Sequence, residues 1–139
     1  MKPNEYQALA QRTECDQDKS RLRMGGIGTS LNLPIRLNHA VIGAMGEIGE
    51  LAGAVERWIY YGQRLDLPNI KEELGDALWY IALACNAVGI ELEDVMEANI
   101  RKLRVRYPEK YNDERAAVRD RLGEASVLSD NVEDLHRQF

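Results

Sequence analysis

Apolar residues recur at helical spacing along three stretches of the chain, and polar or glycine-rich segments separate them. The first stretch, residues 35–61, repeats apolar side chains every three or four positions, which predicts one long helix. The second, residues 70–88, is apolar on more than one side and predicts a buried helix that Asn69 caps and Gly89 ends. The third is residues 92–106. No segment alternates with the two-residue period of a strand, so the pattern predicts an all-α fold.

Weaker helical signals flank these stretches. Pro3 is placed to open a short N-terminal helix. Residues 16–34 lose the periodicity and hold glycines that only superficially resemble a phosphate loop, since no strand precedes them. Residues 113–139 are polar and helix-prone, with an interruption expected at Gly123. We therefore predict a helical domain over residues 1–112 and a polar tail, helical or partly disordered, over residues 113–139.

Two pairs of carboxylates interrupt the apolar faces of the two longest predicted helices. Glu47 and Glu50 lie three residues apart on the first helix, and the pair Glu73 and Asp76 repeats that spacing on the second. Residues three apart share a helix face, so packing of the two helices would gather all four carboxylates. Clustered anions need a cation, and ligation without Cys or His suits Mg²⁺ or Mn²⁺, which usually meet substrate phosphates. The alternative is four exposed or salt-bridged carboxylates.

The helix predicted over residues 92–106 carries groups that bind phosphate. Asn99, Lys102 and Arg106 fall on one face of it, at positions i, i+3 and i+7. Lysine and arginine donate hydrogen bonds to phosphate, while asparagine can bind a phosphate, a ribose or a base. These residues are candidate substrate ligands, and a basic stripe facing solvent is the alternative.

Aromatic residues lie near the carboxylate faces of the long helices. Tyr80 follows Asp76 by four positions, so its hydroxyl is expected on the metal face, within reach of a phosphate or a base. Helix packing is the alternative for this tyrosine. His39 lies two turns before the first carboxylate pair and is either a nucleobase contact or a partly exposed histidine. Packing in the core or at an interface suits Trp58 and Tyr61 better than stacking on a base.

The composition of the chain argues against some classes of function. The formal net charge of −5 argues weakly against nucleic-acid binding. Residues 47–97 hold eleven acids and three bases, whereas residues 98–121 hold eight bases and four acids. This asymmetry fits a metal site beside a phosphate site, or ordinary solvated helix faces. No apolar run approaches the roughly 20 residues of a membrane span, and no signal-peptide core or disulfide framework is evident, so no membrane partner and a cytoplasmic location are expected.

Three motifs occur in order along the chain. They are GEIGELA at residues 46–52, EELGDALWY at residues 72–80 and NIRKL-x-x-RYP at residues 99–108. Together, over about residues 35–110, they resemble the MazG-like nucleoside triphosphate pyrophosphohydrolases of the all-α NTP pyrophosphatase superfamily. Any one of the motifs alone would be unspecific.

The resemblance implies a four-helix core assembled as a homodimer or homotetramer. It implies Mg²⁺-dependent cleavage of a (d)NTP between its α- and β-phosphates, which yields (d)NMP and pyrophosphate. Carried over residue by residue, the catalytic metal ligands would be Glu47, Glu50, Glu73 and Asp76. Asn99 and Lys102 would contact the nucleotide, with Arg106 and Tyr80 as further candidates. Residues that select the base vary within the superfamily, so the preferred base stays open.

Two rival readings use different chemistry. A carboxylate-bridged di-iron bundle needs two Glu-x-x-His motifs, and this chain has one, Glu133-x-x-His136. A catalytically silent helical protein, acting as an interaction module or a nucleotide sensor, would keep the fold without the reaction. Incubation with each NTP and dNTP plus Mg²⁺, followed by detection of pyrophosphate, separates this last reading from the enzyme.

Overall fold

The computed structural model describes residues 1–16, 18–19 and 32–129 of the chain. Every regular element in these ranges is a helix, which confirms the predicted all-α fold. The helices are α1 (Pro3–Gln11), α2 (Asn32–Tyr61), α3 (Leu67–Val88), α4 (Leu92–Arg106), α5 (Asp113–Ala117) and α6 (Arg121–Ser129). The glycine-rich segment and the Glu133-x-x-His136 motif lie outside the described residues. Within those residues, no helix is both long and apolar enough to cross a membrane.

The chain divides into two compact units, Met1–Ile90 and Glu91–Phe139. The first unit holds α1 to α3, and the second holds α4 to α6. The domain boundary expected after residue 112 stays a prediction.

The long helices end where the sequence pattern places their stops. α2 ends at Tyr61 and α3 at Val88, and the next residues, Gly62 and Gly89, have φ angles of 65° and 69°. This left-handed conformation is accessible to glycine at little cost, so a glycine after the last turn ends a helix cleanly. α4 coincides with its predicted span of residues 92–106.

The start of α3 differs from the sequence prediction. The helix begins at Leu67, and Asp66 is its N-cap, because the Asp66 carboxylate accepts a hydrogen bond from the Asn69 backbone N–H at 3.2 Å. Pro68 fits in this first turn because the first N–H groups of a helix have no partner within the helix. The cap predicted at Asn69 was therefore wrong, and the Asn69 side chain serves another purpose, described below.

The first unit is built on the packing of α2 against α3. Its buried apolar side chains are mostly small, and among the described residues they are Ala10, Ile35, Ala40, Ala54, Ala77, Ala82, Leu83 and Cys85. A Cβ atom at Gly43 of α2 would overlap the Tyr80 ring of α3, so glycine is what permits this close contact. The α3 helix is less enclosed than its composition suggests, because Leu74, Leu78 and Ile81 are exposed in the single chain.

Helix α1 docks on α3 through hydrogen bonds from its polar side chains. The Tyr6 hydroxyl donates to the Gly75 carbonyl at 3.1 Å, and Gln7 Nε2 donates to the Ile90 carbonyl at 2.8 Å. Asn86 Nδ2 in turn donates to the Gln7 carbonyl at 3.1 Å. Gln7 is buried, and these bonds satisfy polar groups that burial would otherwise leave without water.

The second unit joins α4 to α6 through a buried carboxylate. Glu124 of α6 accepts hydrogen bonds from Arg106 Nε at 2.9 Å and from Arg106 Nη2 at 2.6 Å, and Arg119 binds the same carboxylate. The interruption expected at Gly123 was wrong, because Gly123 lies inside α6. The break between α5 and α6 falls instead at residues 118–120.

Candidate metal and nucleotide site

Where α2 and α3 pack together, the other three carboxylates of the two sequence pairs lie close enough to Glu47 to affect its ionisation. Partial burial, a hydrogen bond with Glu73 and the charges of Asp76, Glu50 and Glu73 all raise the pKa of Glu47. Each helix contributes two of these groups, one turn apart, as their spacing requires. These influences place Glu47 near the other three carboxylates, and the assignment of all four as metal ligands stays a prediction.

Glu73 is the most enclosed member of this carboxylate cluster. It is 5% exposed, whereas Glu50 and Asp76 are exposed and Glu47 is half-buried. Asn69 Nδ2 donates a hydrogen bond to Glu73 Oε1 at 2.6 Å. A buried carboxylate needs such donors, because burial removes the water that would otherwise solvate its charge.

The donor set fits a hard divalent cation. Four carboxylates supply only oxygen ligands, the type that Mg²⁺ and Mn²⁺ prefer. Among the described His, Cys, Asp and Glu side chains, no three converge on a common coordination point. Binding a cation there would require rotamer changes at the other carboxylates of the cluster, since Asn69 holds Glu73.

An aromatic cluster adjoins the carboxylates on the same two helices. Tyr80 contacts Trp79 and His39 edge to face, with ring centroids 4.8 and 5.5 Å apart, and the His39 and Trp79 centroids are 6.4 Å apart. Burial and then the charges of Glu47 and Asp76 raise the pKa of Tyr80, which places its hydroxyl near the carboxylates. Tyr80 therefore links the anionic and aromatic parts of the site.

The residues that follow α1 close one edge of this aromatic cluster. Thr13 Oγ1 accepts a hydrogen bond from Trp79 Nε1 at 2.8 Å. Cys15 Sγ lies 3.8 Å from His39 Nδ1. Between these two residues, Glu14 accepts two hydrogen bonds of 2.8 Å from the Arg36 guanidinium. Three consecutive side chains thus fasten this short segment to α2 and α3.

The predicted phosphate ligands lie in the second unit, on α4. Asn99 is exposed and Lys102 is half-buried. Arg106 differs from both, because its guanidinium binds Glu124 within the same unit, and this contact raises the pKa of Arg106. Its role as a substrate ligand stays a prediction, and the ion pair supplies a structural role that the sequence did not suggest.

Comparison with known proteins assigns the fold and these motifs to a family. Residues 38–111 match the family model described as the MazG nucleotide pyrophosphohydrolase domain, which is more than half of the chain. The chain belongs to the MazG nucleotide pyrophosphohydrolase family. Both carboxylate pairs and the candidate residues of α4 fall inside the matched range.

One relative among curated proteins is the Gene 37 protein of Mycobacterium phage L5. It is 30% identical to this chain over 74 residues, which cover 50% of the chain and 65% of the relative. The chain therefore spans less than two thirds of that relative's length. No solved structure matches this chain.

Sequence reasoning missed three residues that shape this site in the MazG family member. Asn69 was expected to cap α3, and Trp79 and Thr13 were given no role. A signal existed for Asn69, since it stands four residues before Glu73, the spacing at which helical side chains meet. Nothing in the sequence pairs Thr13 with Trp79, because 66 residues separate them.

Proposed function

We propose that this protein hydrolyses a nucleoside triphosphate, (d)NTP, to (d)NMP and pyrophosphate with a divalent cation. The observation that carries the proposal is the carboxylate cluster of Glu47, Glu50, Glu73 and Asp76, which adjoins an aromatic surface. Anionic ligands suit a cation that binds a triphosphate, and aromatic faces suit a nucleobase. Membership of the MazG family supports the reaction class.

The four carboxylates are the residues that would hold Mg²⁺ or Mn²⁺. Bound there, the cation would neutralise the triphosphate and lower the pKa of a ligated water. One carboxylate of the cluster that is not committed to the cation would accept the proton of the attacking water. The protein's contribution is then mainly positioning and charge stabilisation, as in other phosphoryl-transfer sites.

The remaining candidates would bind the substrate. His39 and Tyr80 offer ring faces and polar atoms to a base, and Trp79 widens this aromatic surface. Asn99 and Lys102 would contact the nucleotide through their hydrogen-bond donors. The pairing of Arg106 with Glu124 favours an anchoring role for Arg106 over a phosphate contact.

A second candidate function is a catalytically silent nucleotide sensor or interaction module with the same fold. It would keep the cluster and the aromatic surface for binding and would release no pyrophosphate. The specific observation in its favour is that no three of the described carboxylates converge on one coordination point.

The deciding experiment incubates the protein with each NTP and dNTP plus Mg²⁺ and measures pyrophosphate. We expect release with at least one nucleotide and none in EDTA. Changing a residue that merely supports a metal ligand typically costs 10–100-fold, so losing a ligand in Glu47→Gln or Asp76→Asn should cost roughly 100-fold or more. Far-ultraviolet circular dichroism should show unchanged helix content in both variants.

Two matched substitutions control this experiment. Glu72→Gln removes an exposed carboxylate next to Glu73 and should leave turnover near wild type. Arg104→Ala, at an exposed position on α4, should likewise be nearly silent, whereas Lys102→Ala should weaken nucleotide use. Near-normal turnover in Glu47→Gln would exclude the metal assignment, and nucleotide binding without pyrophosphate would favour the sensor.

We also propose that the protein assembles as a homo-oligomer through the outer face of α2 and α3. A groove of about 580 Å³ runs along this face and is lined almost wholly by apolar atoms. Its lining residues are Ala40, Val41, Ala44, Met45, Ile48, Gly49, Ala52, Tyr80, Ile81 and Ala84. A second α2–α3 pair would cover the exposed apolar side chains of this groove, such as Met45, Ile48 and Ile81, and complete a four-helix arrangement.

A further inference from the structure

Asn69 connects the first turn of α3 to the most buried carboxylate of the candidate site. Its backbone N–H donates to Asp66 Oδ1 at 3.2 Å, which fixes the turn. Its side-chain Nδ2 donates to Glu73 Oε1 at 2.6 Å. The four-residue spacing places the two side chains one above the other on the same face of the helix. Asp66 therefore fixes the backbone at Asn69, and the side-chain amide of Asn69 points to the carboxylate cluster.

The hydrogen bond restricts how Glu73 can present its oxygens. A carboxylate has two equivalent oxygens, and its last torsion turns easily when neither oxygen is held. With Oε1 bound to Asn69, that rotation is restrained. Glu73 also lies close enough to Glu47 of α2 for its carboxylate to raise the pKa of Glu47, so the orientation of Glu73 affects the neighbouring helix as well.

We propose that Asn69 is a positioning residue for the cation site, which holds the Glu73 carboxylate in the orientation that ligates the metal. The inference rests on the proposed function, since it takes Glu73 to be a metal ligand. Partners that orient a ligand in this way typically change metal affinity by 10–100-fold when they are removed. Asn69 itself touches neither the cation nor the nucleotide in this proposal.

A purely structural role makes a different prediction. If the bond to Glu73 only stabilised the first turn of α3, its loss would lower the melting temperature and leave cation affinity unchanged. Asp66→Ala supplies the matched comparison, because it removes the cap from the same turn while keeping the amide of Asn69 and the carboxylate of Glu73. Loss of such a cap destabilises the start of a helix, so this variant should have a lower melting temperature than wild type.

The test measures Mn²⁺ affinity of the full chain by calorimetry or electron paramagnetic resonance, without nucleotide, and melting temperature in EDTA. Asn69→Ala removes the donor, and Asn69→Leu removes it while keeping a side chain with the same branched shape. Alanine and leucine both favour helices, so both Asn69 variants should fold. We expect each to bind Mn²⁺ at least about 10-fold more weakly than wild type, and Asp66→Ala to lower the melting temperature with near-normal affinity.

The outcomes separate this inference from the function on which it rests. Wild-type Mn²⁺ affinity in both Asn69 variants would overturn the positioning role alone. So would an equal loss of affinity in Asp66→Ala, since the effect would then come from the helix start. A wild-type protein that binds no Mn²⁺ would instead remove the metal centre of the proposed function, and the inference with it.

Discussion

At the scale of single residues, Gly43 decides how closely the two long helices approach. The Tyr80 ring occupies the space that any Cβ at position 43 would fill. Tyr80 in turn contacts His39 and Trp79, so the glycine also sets where the aromatic cluster lies. The absence of a side chain at Gly43 thus affects both the packing of α2 against α3 and the position of the aromatic surface proposed to bind the nucleobase.

Gly43→Ala should therefore destabilise the protein. The added methyl must displace the Tyr80 ring or separate the helices, and such overpacking typically costs about 1–3 kcal/mol. Urea unfolding followed by circular dichroism measures this cost. Gly46→Ala, one turn along α2, is the control, because nothing lies within 4 Å of its added Cβ. It should be neutral or stabilising by up to about 1 kcal/mol from helix propensity. Similar effects of the two changes would contradict the close contact.

At the scale of elements, a buried ion pair between Arg106 and Glu124 attaches α6 to α4. Glu124 is 3% exposed, and it is bound by Arg106 and Arg119. The side-chain hydrogen bonds from these two arginines hold the pKa of Glu124 well below its usual range. A buried carboxylate with two guanidinium partners is costly to leave unpaired, so the contact fixes the position of α6.

Glu124→Gln should loosen α6 without altering α4. Hydrogen exchange at pH 7 should become faster in Arg121–Ser129, because glutamine keeps an acceptor but loses the charge that both arginines bind. Glu109→Gln, at an exposed position, is the control and should not change exchange.

The same contact has a defined pH dependence. Because the pKa of Glu124 is lowered on folding, its stabilisation is complete above about 4.5, the ordinary value for glutamate, and declines as pH falls further. The difference in exchange protection between wild type and Glu124→Gln should therefore narrow below about pH 4.5. A constant difference from pH 7 to pH 3 would show that ionisation of Glu124 does not stabilise α6.

At the scale of the whole molecule, the single chain exposes apolar surface that a monomer would leave in water. Met45 is 70% exposed, Ile48 52% and Ile81 45%, all in the groove between α2 and α3. Continuous apolar patches of this kind usually mark a protein interface. Because Glu47 lies on the same stretch of α2, assembly through the groove would bring a second copy close to the carboxylate cluster.

Met45→Glu or Ile81→Glu should dissociate the proposed oligomer. Each places a charge in an apolar interface at a side chain that is already exposed in the single chain, so the monomer fold should survive. Light scattering at micromolar concentration should give a multiple of 15.8 kDa for wild type and about 15.8 kDa for the variants. Asn38→Asp, an exposed α2 position outside the groove, should not change the mass. A monomeric wild type would contradict the assembly.

The sequence by itself determined the helices and the spacing of the chemistry. The extent of α4, the stops at Gly62 and Gly89 and the one-turn separation within each carboxylate pair follow from local rules. The start of α2 does not, because the helix includes Asn32, inside the segment 16–34 that was expected to be irregular. Periodicity, capping and left-handed glycine act over a few residues, so they can be read from the chain alone. The order of the three motifs indicated the MazG family, and the comparison with known proteins then established it.

Only the tertiary structure decided which side chains meet between segments distant in sequence. The contact of Gly43 with Tyr80 and the ion pair of Arg106 with Glu124 depend on helices that pack together. Even Asn69, whose partner is local, was misassigned, because capping by Asp66 or by Asn69 satisfies the same sequence rule. Several neighbouring residues could start a helix equally well by sequence, and the packing around it decides which one does. In α3 the start at Asp66 leaves the Asn69 side-chain amide free to bind Glu73.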